Sequence, residues 1–173
     1  MEIDSWLSPV IAGWQAHAND AKKPKNSVRL HDGKTPYGVH PTTAAGMAAQ
    51  EPYLSYEMRA QAFKALALHD TDEDTNGGVP VGTPIDIVQL VKELTVQGGS
   101  AQDFAELPSK PPFVQLLKLY DKLSNLMDGV GSKGWMRSRG DDYVKTYVLN
   151  TLDVYKRHDY VHSSMILHAE CAV

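Results

Sequence analysis

The chain carries no alternating strand pattern, and its apolar residues recur at helical spacing in several stretches. That period belongs to helices and leaves no pattern for a half-buried sheet. Ser5 to Asn19 places Trp6, Leu7, Val10, Ile11 and Trp14 at helical spacing, which predicts a first amphipathic helix. Ala21 to Tyr37 is basic, contains Pro24, Gly33 and Pro36, and reads as an ordered loop. An Ala-rich helix is expected from His40 to Gln50, a break at Pro52, and a longer helix from Ser55 to His69. After a loop from Asn76 to Pro84, Thr83 is expected to cap a helix with Pro84 at its first position, running through Ile87, Leu90, Val91 and Leu94. Gly98 to Pro112 reads as irregular. Phe113 to Met127 is strongly helical and ends at Gly129, Gly131 and Gly134. Asp141 to Arg157 predicts another helix and His158 to Glu170 a short last one. With no repeat or linker, residues 1–173 are expected to form one all-α domain.

Several function classes are set aside at this level. No apolar stretch is long enough to cross a bilayer, and no basic n-region precedes the first apolar run as in a signal peptide. Cys171 is the single cysteine, so an intrachain disulfide is excluded and a reducing cytoplasm fits best. A net charge of -4 argues against broad nucleic-acid affinity and for a small-molecule partner. Basic residues nevertheless cluster at Lys22, Lys23, Lys25, Arg29 and Lys34, and again at Lys133, Arg137, Arg139 and Lys145. These are either two solvated segments or two walls that attract a polyanion.

The chemistry concentrates in three places. HDTDEDT, residues 69–75, presents an imidazole and a carboxylate side by side at a helix end, with Glu73 and Asp74 following. Asp121 and Asn125 are four apart on an otherwise apolar helix and share a face. A carboxylate there needs a partner, which is either Lys118 or Lys122 nearby or a metal ion. His40, in PYGVHP, stands where a helix begins, and singly reads as a surface histidine. Together His40, His69, Asp70 and Asp121 supply two nitrogens and two oxygens from three helices. That set suits Mn²⁺, Fe²⁺ or Zn²⁺.

The order H…HD…D resembles that of the HD phosphohydrolase superfamily. Within it the chain resembles the hydrolase domains of the RelA/SpoT family, and most closely the single-domain small alarmone hydrolases of the metazoan SpoT-homologue type. Residues 33–41, GKTPYGVHP, look like the family's G-x-PY-x-x-HP; residues 65–75, ALALHDTDEDT, look like ALLHDxxEDT; residues 117–127, LKLYDKLSNLM, look like VKLADRLxNL. Gly134-Trp135 followed by Tyr143 falls where such hydrolases carry aromatic residues in the nucleotide pocket. The similarity spans about Arg29 to Tyr155.

The resemblance implies an HD-type helical bundle with a metal site between helices, and a Mn²⁺ held by His40, His69, Asp70 and Asp121. It implies that Glu73 and Asp74 orient and deprotonate the attacking water, and that Arg29, Tyr37, Asn125, Trp135 and Tyr143 contact the nucleotide. The implied reaction removes the 3′-pyrophosphate from guanosine or adenosine alarmones such as ppGpp and pppGpp. One departure bears on substrate choice. Family members usually carry phosphate-reaching lysines after the helix ending near Thr95, whereas here Val96 to Ser100 is uncharged and Lys110 is the next basic residue. An HD-type nucleotidase or deoxynucleoside triphosphate hydrolase, which would share the four ligands, and an NADPH phosphatase therefore stay open as alternatives. Oligomeric state is not legible in the sequence.

Overall fold

Ser55 is extended, and its hydroxyl accepts a hydrogen bond from the Met58 amide, capping the helix that runs from Tyr56 to Leu68. This is one of a series of helices in the computed structural model, which describes residues 4–23, 27–29, 33–96, 98–129 and 141–155. The helices are α1 (Asp4–Asn19), α2 (Val39–Ala49), α3 (Tyr56–Leu68), α4 (Thr71–Asp74), α5 (Ile85–Leu94), α6 (Ser100–Glu106), α7 (Pro112–Gly129) and α8 (Asp141–Tyr155). A 3₁₀ turn, Leu107–Ser109, links α6 to α7. Among the described residues, extended pairing is limited to the single bridges Ala21 to Thr75 and Val28 to Pro36. The all-α expectation holds. No helix among the described residues is long and apolar enough to cross a membrane.

α1 turns only part of its expected apolar stripe inward. Trp6, Val10, Gly13 and His17 face inward, with Trp6 packed 4.9 Å from the Phe63 ring. Leu7, Ile11 and Trp14, one residue further round, are exposed. The choice follows from closeness of approach: a Cβ on Gly13 would lie 2.5 Å from the Ala67 carbonyl oxygen, so only glycine lets α1 settle on α3 there. Small residues also set the α2–α3 distance, since Ala44, Ala45, Ala48, Ala62 and Ala65 are fully buried. α7 lies across α2, α5 and α8 and contributes Leu116, Leu117, Leu119, Tyr120, Leu123 and Leu126 to the core.

Two local expectations are corrected. Thr83 does not cap α5; its hydroxyl donates to the Pro80 carbonyl at 2.7 Å, and Pro84 occupies the cap position. The segment read as irregular contains α6, which opens after Gly98 and Gly99, both at positive φ, and packs through Leu107 and Asp103. Seven residues are too few for a readable period. The helix expected at 158–170 lies outside the described residues.

Candidate metal centre

The centre forms where the start of α2, the α3–α4 junction and the middle of α7 meet. His40 is in the first turn of α2 and fully buried, held by the short 27–37 loop through bonds from Arg29 N to Thr35 O and Tyr37 N to Ser27 O. His69 and Asp70 keep helical dihedrals, so α3 passes straight into α4 without releasing either side chain to solvent. Thr71 and Thr75 hydroxyls secure this junction by donating to the Leu68 and Thr71 carbonyls at 2.7 and 2.8 Å.

The four expected ligands are brought together. His40 Nε2 lies 3.2 Å from Asp121 Oδ1 and 3.5 Å from Asp70 Oδ2; His69 Nε2 lies 3.1 Å from Asp70 Oδ1 and 3.5 Å from Asp121 Oδ1. Ligand atoms of His40, His69 and Asp70 lie within 4.8 Å of one another, a spacing that suits a shared cation. Each edge is close to that of a polyhedron with metal–ligand bonds of about 2.1 Å.

The hydrogen bonds decide which imidazole nitrogen faces inward. His69 Nδ1 lies 2.7 Å from the Leu66 carbonyl, which only accepts, so Nδ1 carries the hydrogen. Ser124 Oγ donates to the His40 carbonyl and lies 2.8 Å from His40 Nδ1, which therefore donates to it. Both Nε2 atoms thus point their lone pairs at carboxylates. His69 Nε2 is buried without an aligned hydrogen bond. Lone pair against lone pair is repulsive, and the arrangement becomes favourable when a cation or a proton enters. This buried nitrogen and the two-nitrogen, two-oxygen donor set fit a divalent metal.

The titration behaviour agrees. Burial lowers the His69 imidazole, but Asp70 and Asp121 outweigh it and raise it to about 9. Burial lowers His40, more than its carboxylate neighbours compensate. A proton on His69 therefore holds the metal-free cluster together. Burial would raise Asp121, yet Lys122 and Lys118 hold it well below the usual carboxylate range. The two readings of Asp121, ion pair or ligand, are not exclusive: Oδ2 faces both lysines while Oδ1 faces both histidines.

Glu73 is raised to about 7 by burial and by Asp70 and Asp74; Asp74 is raised to about 6 by burial and Asp70. Glu73 is nonetheless solvent-exposed, so the negative charge of Asp70 and Asp74 carries much of this rise. Glu73 lines an open cavity of about 130 Å³ together with Tyr37, His40, Asp70, Asp121 and Asn125.

The expected substrate contacts divide. Asn125 lines the cavity, and its Nδ2 donates to Asp121 Oδ1 at 2.9 Å. Tyr37 also lines it, but its hydroxyl donates to Asp70 Oδ2 at 2.9 Å, so it orients a candidate ligand. Arg29 is buried behind the cavity; its Nη2 donates to Asn125 Oδ1 at 3.1 Å and its guanidinium lies 5.2 Å from the Tyr37 ring. Tyr143 packs toward Tyr147 on α8, ring centroids 6.2 Å apart. Trp135 lies outside the described residues, as do Lys25, Lys133, Arg137 and Arg139. Lys22 is engaged as well, donating to the Asp72 and Glu73 carbonyls at 3.0 and 2.8 Å. Sequence reasoning missed Ser124, and His17, whose ring stacks 4.5 Å from that of Tyr37. Nothing in their local sequence marks either.

This all-helical fold, with its histidine–aspartate junction between α3 and α4, is shared with a solved structure. No family model matches the chain, and no curated protein matches it. Among solved structures it is similar to a metazoan ortholog of SpoT that hydrolyzes ppGpp and plays a role in starvation responses. The TM-score is 0.69 at 19% identity, covering 99% of this chain and 95% of that one. At this identity the likeness establishes the fold.

Proposed function

We propose that this protein is a divalent-metal-dependent phosphohydrolase that removes the 3′-pyrophosphate from a guanosine or adenosine alarmone such as ppGpp. The observation that carries the reading is the convergence of His40, His69, Asp70 and Asp121, with both histidine Nε2 atoms turned toward the two carboxylates, beside Glu73 and Asp74. The likeness to a structure whose protein hydrolyzes ppGpp supports the substrate class.

When bound, Mn²⁺ or another divalent ion would lower the pKa of water and polarise a phosphoryl oxygen. The chain's own groups supply the rest. Glu73 and Asp74, beside the metal ligands on α4, accept the proton of the attacking water. Tyr37 and Asn125 fix Asp70 and Asp121 through their hydrogen bonds, and Arg29 braces Asn125 from behind. Water attack on the phosphorus bonded to the ribose 3′-oxygen breaks that P–O bond, releases pyrophosphate and leaves the 3′-hydroxyl of GDP from ppGpp. A cytoplasmic nucleotide pool is the setting we propose for it.

A second reading, a (d)NTP or NADPH phosphohydrolase, is favoured by the lysine-free connection around Gly98 and Gly99, which differs from what alarmone hydrolases carry there. Incubation with Mn²⁺ and separate ppGpp, pppGpp, ppApp, dNTPs and NADPH, resolved by chromatography, distinguishes them. GDP and pyrophosphate from ppGpp are expected; turnover confined to dNTPs or NADPH would replace the first reading with the second.

A further inference from the structure

Helix α6 carries a side chain that the proposed reaction does not use. Asp103 Oδ2 lies 3.2 Å from Lys118 Nζ and pairs directly with Lys122 Nζ, both on α7. The same two ammonium groups face Asp121 Oδ2, at 3.5 and 3.3 Å. All four side chains are buried, with exposures of 7% for Asp103 and Asp121, 8% for Lys118 and 5% for Lys122. The Phe104 ring, next along α6, lies 5.3 Å from Lys122 Nζ. Two cations and two carboxylates therefore form a closed, neutral square against the candidate metal centre.

Asp121 belongs to both. Its Oδ1 faces His40 and His69 Nε2, and its Oδ2 faces the lysines. Ammonium charge held on Oδ2 withdraws negative potential from Oδ1, a few ångströms away, and repels a cation there. All four groups line the open cavity beside the metal centre, where their low exposure leaves such charges only partly screened. Asp103 offers the lysines a second carboxylate and so divides their charge. We infer that Asp103 is a positioning residue for the metal centre: by sharing Lys118 and Lys122 with Asp121, it leaves Asp121 enough negative charge to bind a divalent cation. The inference rests on the metal reading above.

Its test is Mn²⁺ affinity of the full chain, measured by calorimetry after chelation and dialysis, with circular dichroism to verify folding. Asp103→Asn should bind Mn²⁺ at least tenfold more weakly. Lys118→Met, which removes one ammonium, should bind it more tightly than the parent. The charge-balanced double variant Asp103→Asn/Lys118→Met should return to within about threefold of the parent. A purely structural role would change melting temperature without this pattern of opposite shifts and recovery. A folded Asp103→Asn with parental affinity overturns the inference. If that variant does not fold, Lys118→Met decides: unchanged or weaker affinity overturns it. A parent protein that binds no Mn²⁺ sinks the metal centre itself and this inference with it, whereas binding that is indifferent to Asp103 sinks the inference alone.

Discussion

Replacing Glu73 with Gln should make the metal-free protein more stable and the metal-loaded protein slower. Glu73 sits on α4 against Asp70 and Asp74, and its carboxyl rises from its ordinary 4.5 to about 7. At full strength that rise corresponds to about 3 kcal/mol against the ionised folded state. Because the side chain is exposed, screening reduces it to about 1 kcal/mol. The sign follows from linkage. A carboxyl raised in the folded state carries no penalty below pH 4.5, acquires it as pH rises, and carries it fully above about 7. Gln removes that penalty, so the variant should melt about 2–4 °C higher than the parent at pH 8 in EDTA. The gain should vanish near pH 4.5. In Mn²⁺ the added positive charge offsets the acids and shrinks the difference. Turnover of ppGpp should meanwhile fall on the order of a hundredfold if Glu73 is the general base. Melts at both pH values, paired with rates, check this. A variant that melts lower than the parent at pH 8, or one that keeps its rate, would refute the argument that these acids are strained against each other for catalysis.

Other outcomes follow from the same geometry. Mn²⁺ binding near pH 7 should release a proton from His69, which stands at about 9 in the metal-free cluster; calorimetry in buffers of different ionisation enthalpy will read it. Ser124→Ala removes the acceptor that fixes the His40 ring and should weaken Mn²⁺ affinity about 10–100-fold, measured by titration, with little loss of helicity. Asp121→Asn and Asp121→Ala should both abolish Mn²⁺ binding and both destabilise the fold by roughly 3–5 kcal/mol, because either change takes a counterion from two buried lysines. Gly13→Ala should cost about 1–3 kcal/mol, seen as a lower melting temperature, since the added Cβ meets the Ala67 carbonyl.

The helical class, most element positions and the identity of four candidate ligands were legible in the sequence, because helix periodicity and residue chemistry are local properties. α6 was not, since a helix shorter than two full turns leaves no period to read. The buried face of α1 was not, since two apolar stripes compete and only the contact at Gly13 selects one. What the folded chain alone decided is partnership. Ser124 meets His40 across 84 positions, Arg29 meets Asn125 across 96, and Asp103 joins Lys122 across 19. Tyr37 and Arg29, expected at the nucleotide, also hold Asp70 and Asn125. No spacing rule encodes such meetings, because they depend on how α2, α6 and α7 pack. Sequence set which atoms could bind a cation; packing set which neighbours share their charge.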